Sequence, residues 1–287
     1  MTANREYKDS LFSWLFSDPP ALRELYGALT GVPLSPDIPI TINTLEDVLF
    51  KGRLNDISFE IAGRLIVLIE HQSTINENMP LRLLLYIAKL YEKFTGGKDV
   101  YRERRITLLR PEFIVLYNGV APCPDETTLR LSDAFRETGG LGLAPADGNF
   151  LELIVTVYNI NRGHNEPILR RCKNLEGYSA FIAAVRKYEQ KTKTRDEAIR
   201  LAVKDCIAND ILKDILETHA AEVMNMLMTE WNWDDAKEVW FEEGMEKGME
   251  KGMEEGRNMV LELMKQGYSV DQIEAKLAAD KTGTAGK

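Results

Sequence analysis

Residues 54–72 read LNDISFEIAGRLIVLIEHQ, and the alternation of apolar and polar positions there organises the rest of the chain. Ile57, Phe59 and Ile61 fall on one face of an extended segment, with Asp56, Ser58 and Glu60 on the other, the period of two that marks a half-buried strand. Residues 65–69 are apolar on both faces, as in a strand covered on both sides. Glu70 and Gln72 then appear on one face. Ala62-Gly63-Arg64 reads as the turn. If the loop is those three residues, Asp56 stands directly opposite Glu70. A loop of two would send the carboxyls to opposite faces, because a one-residue slip turns a whole strand over. The longer loop needs a residue with positive φ, and Gly63 is the candidate.

The same reading predicts a helix over 7–16, ended by Asp18-Pro19-Pro20, and a second over 21–30 closed by Gly31. Residues 32–42 hold three prolines and read as a loop, with 42–50 leading into the first strand. After Pro80 a helix is expected over 81–94. Leu81, Leu84, Leu85, Ala88 and Tyr91 form its inward stripe, and Arg82, Tyr86, Lys89 and Lys93 the outward one. Strands follow at 113–117 and 151–159, separated by a Pro- and Gly-rich stretch with no clear pattern, and helices at 178–190, 195–208 and 210–228. This order predicts an α/β fold, a mixed sheet between helices. Two regions follow: a domain at 1–228 and a tail at 229–287.

In the tail Gly244, Gly248, Gly252 and Gly256 recur every four residues with Met245, Met249 and Met253 in step. A period of four drifts slowly around a 3.6-residue helix. Glycine is costly inside a helix, and close helix–helix approach is one compensation. Self-association and a mobile, partly helical linker remain the two readings. The chain's end, 260–277, has the outline of the first half of a helix-turn-helix, without a clear recognition helix.

Composition modifies this picture at three points. The 287 residues carry a net charge of −9, which argues against a nucleic-acid partner until the charge is located. Residues 230–262 hold 11 acidic and 4 basic side chains, a net of −7, whereas 162–195 hold 9 basic and 3 acidic, a net of +6. A basic central region and an acidic tail coexist. Cys123, Cys172 and Cys206 stand apart, which suits neither a disulfide framework nor a zinc site. No run is long enough to cross a membrane and the first residues lack a signal-like apolar stretch, so a cytoplasmic, non-membrane setting is expected.

With KDSLFSWLF, NDISF, IVLIEHQ, PLRLLLYIAKLYEKF, EFIVLYNG, AIRLAVKDCIANDILKDILETHAAEVMNML and the Gly-Met-Glu-Lys tail in this order, the chain resembles the bacterial Rpn family. These are recombination-promoting, transposase-like nucleases of the PD-(D/E)XK superfamily. The resemblance implies a restriction-endonuclease-like core and a metal-dependent DNA endonuclease acting in recombination or transposition. It places the superfamily's two acids on Asp56 and Glu70 and its lysine position on Gln72, and it implies that the His71 backbone carbonyl joins Asp56 and Glu70 as a metal ligand. Asn55, not proline, precedes Asp56.

Opposed residues of an antiparallel pair have Cβ atoms roughly 4.5–5.5 Å apart, close enough for two carboxylates to share one hard cation, Mg²⁺ or Mn²⁺. Without a cation the two anions would repel and one would take up a proton. Glutamine at 72 cannot carry a lysine's charge but can orient a water. Arg82, Tyr86 and Lys89, with Arg162, Arg170 and Arg171, are the expected contacts to double-stranded DNA. His71 points away from Glu70 and reads as structural; His164 reads as a surface residue. Two other functions stay open: a nuclease fold that binds nucleic acid or protein without cutting, and an oligomeric scaffold working through the tail.

Overall fold

Alternation and turn chemistry at 54–72 produce the expected hairpin. In the computed structural model, strand β2 (Asp56–Ile61) pairs antiparallel with β3 (Leu65–Gln72), Asp56 opposite Glu70 and Ile61 opposite Leu65. The loop is therefore three residues long. Its conformation differs from the expectation, since Ala62 (φ 54°) as well as Gly63 (φ 60°) is left-handed, and Arg64 N–H closes the turn on the Ile61 carbonyl at 3.1 Å. The structure describes residues 10–43, 56–96, 101, 103–136 and 151–228. Met1–Glu230 and Trp231–Lys287 form two units, and the tail repeat and the helix-turn-helix-like end lie outside the described residues.

Ahead of the hairpin, Ser10 caps α1 (Leu11–Leu15) and Asp18 caps α2 (Pro19–Thr30), accepting the Ala21 N–H at 2.8 Å, with proline in the first turn and Gly31 left-handed (φ 74°) after the last. The sequence reading runs a loop through residue 42. Instead Ile40–Ile42 is a short edge strand, β1, antiparallel to β2: two β-branched isoleucines flanking a threonine suit a pleated edge, and Pro39 stands just before the ladder. Of the lead-in expected over 42–50, residues 44–50 lie outside the described residues.

Helix α3 (Met79–Thr95) crosses from β3 to β4 (Arg110–Tyr117), which runs parallel to β3. Pro111 is tolerated inside this central strand for a geometric reason. Arg110 gives its N–H to Arg64 on the β3 side, so position 111 faces the other side, where the next strand pairs only from Ile114 onward. The Pro- and Gly-rich stretch hides an element: β5 (Glu126–Arg130), followed by a 3-10 turn at Leu131–Ala134. It pairs antiparallel with β6 (Ile154–Asn159), which is itself parallel to β4. The six-stranded mixed sheet has the order β1-β2-β3-β4-β6-β5.

The remaining helices are α4 (Glu166–Leu169), α5 (Lys173–Glu189), α6 (Arg195–Ala208) and α7 (213–228). Helix α5 starts five residues before the expected point. The expected helix over 210–228 is shortened because Asp210 (φ 62°) and Leu212 (φ 46°) break it away from α6. One face of the sheet buries Ile66, Leu68, Val115 and Val157 against Met79, Leu83, Ile87 and Leu90 of α3. On the other face Tyr26 of α2 meets Phe59 edge-on at 6.3 Å, while Phe12 of α1 stacks on His71.

Helix α3 is rotated from the orientation its sequence suggests. Leu81 and Leu85 are exposed, at 46% and 44%, and Ala88 also faces out, whereas Tyr86 is buried. The helix is apolar on nearly every side, so periodicity alone offered two competing stripes.

Candidate functional site

Glu70 is the anchor of the site. It sits at the end of an apolar strand flanked by β2 and β4, and it is only 5% exposed. A buried carboxylate needs compensation, and α3 brings it. Arg82 Nη2 meets Glu70 Oε1 at 2.6 Å, and Gln72 Nε2 donates to the same oxygen at 2.9 Å. Met79 Sδ lies beneath both donors, 2.9 Å from Gln72 Nε2 and 3.4 Å from Arg82 Nη1, and the Tyr86 hydroxyl is 3.5 Å from Arg82 Nη2. Met79, Arg82 and Tyr86 are spaced i, i+3, i+7 and hence share one helix face. Arg82 and Tyr86 therefore belong to the interior around Glu70, not to a solvated stripe available for phosphates. Of that stripe, Lys93 is exposed and Lys89 half-buried.

Asp56 is opposite Glu70 in the register, and Gln72 lies two residues further along β3 on the face that Glu70 occupies. The side chain of Asp56 lies outside the described residues, so backbone register alone positions it. Ser58, two residues further into β2, shares that face; it is 1% exposed and its hydroxyl has no hydrogen-bond partner among the described residues. Ile57, Phe59 and Ile61 turn to the opposite face, as alternation requires. There His71 packs between Phe12 and Tyr178, whose hydroxyl is 3.2 Å from Nε2. The imidazole is a core group, as its position in the alternation implied.

The sequence reading expected Asp56 and Glu70 to repel unless a metal or a proton intervened. Arg82 supplies a positive charge instead, from twelve residues away in sequence. Periodicity missed this pair because it placed Arg82 outward; the spacing of Met79, Arg82 and Tyr86 was the available signal. Among the described residues no cluster of three or more His, Cys, Asp or Glu side chains gathers. The candidate metal-holding set is the one the resemblance implies, Asp56 and Glu70 with the His71 backbone carbonyl. Its oxygens suit a hard divalent cation, and the orphaned Ser58 hydroxyl adds a polar group without a described partner on the same face.

The next loop closes the carboxyl-terminal edge of the sheet. Asn118 N–H donates to the Gln72 carbonyl at 2.9 Å, and the Asn118 carbonyl accepts from Arg186 Nη2 at 2.5 Å. Its side-chain amide is buried with neither end hydrogen-bonded among the described residues. Gly119 must be glycine, since a Cβ there would lie 1.9 Å from the Ser73 carbonyl oxygen. Burial lowers the pKa of the Arg186 guanidinium, against opposing effects from Tyr178, Tyr117 and Glu189.

The basic residues expected to meet DNA are distributed unevenly. Arg162, Arg170 and Arg171 are all exposed. Arg170 pairs within α4 with Glu166 at 3.6 Å, and Arg171 reaches toward Gly31. Arg162 makes no ion pair among the described residues. His164 is partly exposed, with Nδ1 2.6 Å from Asp125 Oδ1. No helix among the described residues is long and apolar enough to cross a membrane. Comparison with protein-family models, curated proteins and solved structures returns no match.

Proposed function

We propose that this chain is a metal-dependent DNA endonuclease with a restriction-endonuclease-like core. The observation that carries the reading is the register of the hairpin, which sets Asp56 opposite Glu70 with Gln72 on the same face. Asp56, Glu70 and the His71 carbonyl would hold Mg²⁺ or Mn²⁺. Such an ion, when bound, supplies a water that ionises near neutral pH and positive charge against the phosphate oxygens.

The protein's own groups do the rest. Arg82 keeps the Glu70 carboxylate paired and oriented through a bond of 2.6 Å. Gln72 donates to the same oxygen, and its amide carbonyl is the group with which it would orient an attacking water. Met79 and the buried Tyr86 close the inner side of the site. Arg162, Arg170 and Arg171 provide exposed positive charge for the DNA backbone, whereas Arg82 serves the carboxylate.

A second reading is favoured by a specific observation. Arg82 already neutralises Glu70, and Gln72 replaces the lysine that would engage the phosphate, so the same fold can bind nucleic acid without cutting it. Supercoiled plasmid incubated with the full chain and Mg²⁺, Mn²⁺ or chelator separates the two. Metal-dependent nicking, lost in Asp56→Ala and Glu70→Ala, is the expected result. Plasmid binding without nicking in either metal selects the second reading, and equal nicking by wild type and both variants rejects the site.

A further inference from the structure

On the α5 side of the same sheet edge lies a cavity of about 630 Å³, within the size range of small-molecule sites. It opens at the carboxyl ends of the parallel strands β4 and β6, where open α/β sheets commonly bind ligands. Its wall is the loop 119–123, and hydrogen bonds hold that loop at three points. Asn161 Nδ2 donates to the Gly119 carbonyl at 3.0 Å, the Tyr117 hydroxyl to Ala121 at 2.7 Å, and Asn159 Nδ2 to Cys123 at 2.7 Å. Opposite stands α5, where Arg186 is tied to Asn161 Oδ1 at 2.7 Å. These bonds prepare the shape before any ligand arrives.

The lining is electropositive in a chain of net charge −9. Arg162, His164, Arg186 and Lys187 face the cavity, and no carboxylate lines it. The nearest ion-pairing acids sit outside the lining: Asp125 on His164 Nδ1, and Asp205 3.5 Å from the Lys187 ammonium. Neither Arg162 nor Arg186 makes an ion pair among the described residues, and Arg186 is held instead by hydrogen bonds to Asn161 and the Asn118 carbonyl. Val120, 87% exposed, with Ala121 and Pro122 gives an apolar surface beside the charges.

We propose that this cavity binds a nucleotide, its phosphate on Arg162, Lys187 and His164 and its base against Val120 and Pro122. A planar guanidinium and an ammonium match phosphate oxygens, and the apolar wall suits the face of a base. The nucleotide is either free or one unit of a DNA strand crossing the sheet edge. From β3 to β6 is two strand spacings, about 10 Å, so a strand held at Glu70 passes close to the cavity.

The proposal does not depend on hydrolysis, and its test runs in chelator. Isothermal titration of the full chain with dAMP, with inorganic phosphate and with a short single-stranded oligodeoxynucleotide reads the affinity of each. Arg162→Ala and Lys187→Ala are expected to weaken dAMP or oligonucleotide binding by about tenfold each. Arg162→Lys should recover part of that loss, Arg64→Ala, at an exposed position in the β2–β3 turn, should change nothing, and circular dichroism verifies the folds. Binding of dAMP with this pattern assigns a free nucleotide, and binding of the oligonucleotide alone assigns a strand; both support the site. Absence of binding by both dAMP and the oligonucleotide, unchanged affinity in Arg162→Ala, or inorganic phosphate binding as tightly as the better of those two probes would overturn it. Binding here is read in chelator and nicking in Mg²⁺ or Mn²⁺, so a failure of this cavity is distinct from a failure of the endonuclease reading.

Discussion

Arg82 is the residue on which the candidate site turns. Its side chain is 19% exposed and that of Glu70 7%, so the pair is shielded enough that losing one partner leaves a poorly solvated charge. Arg82→Met is expected to lower unfolding free energy by about 2–3 kcal/mol, a little under the range for fully buried pairs. The double change Arg82→Met with Glu70→Gln should recover most of that loss, because it removes the orphaned charge. In Arg82→Met, added Mg²⁺ or Mn²⁺ should raise the urea midpoint more than in wild type, since a bound cation would take over the role of the guanidinium. A urea midpoint that does not change in Arg82→Met would show that Glu70 is compensated by something else.

At the scale of the element, the β2–β3 turn carries a cost that substitution can relieve. Ala62 is exposed yet held at φ 54°, where a Cβ costs about 1 kcal/mol or more. Asparagine tolerates this region far better. Ala62→Asn is therefore expected to raise the melting temperature by about 2–4 °C, as a gain of roughly 1 kcal/mol does for a unit of this size. Ala62→Val should lower it, because a β-branched side chain is least compatible with a left-handed backbone. If calorimetry places both variants at the wild-type temperature, the turn is not under the strain its angles imply. The register of Asp56 against Glu70 depends on this turn, so its stability bears directly on the candidate site.

The whole molecule has a pH response written into its buried thiols. Burial pushes the Cys172 thiol up to about 12 and that of Cys206 to about 11, from 9.0. The folded state holds these protons to higher pH than the unfolded chain does. Their contribution to stability is therefore complete below about pH 9 and is lost as the pH rises through 11 and 12. Buried phenols act in the same direction, for burial raises Tyr26, Tyr91, Tyr117 and Tyr158 as well. Urea midpoints should fall progressively above about pH 9, less steeply in Cys172→Ala with Cys206→Ala. At pH 8 all three buried cysteines should resist a thiol reagent until the chain unfolds. Rapid labelling of the native protein, or a midpoint flat to pH 11, would contradict this.

Local chemistry is enough to determine the hairpin, the register of Asp56 and Glu70, the helix that Gly31 closes, and the inward place of His71. Each follows from a two-residue alternation, a turn or a cap, and these act over a few residues of chain. Tertiary structure decided the rest. Helix α3 has apolar residues nearly all round, and only docking against the sheet, with Arg82 drawn to the Glu70 carboxylate, selected the inward face. Edge strands β1 and β5 are too short, at three and five residues, for their patterns to stand out along the chain, and a neighbour's free hydrogen-bonding edge supplies most of what defines them. The basic cavity joins residues from 119 to 190, and no spacing along the chain could bring them together. Charge compensation and cavity shape are long-range properties, set where distant segments meet.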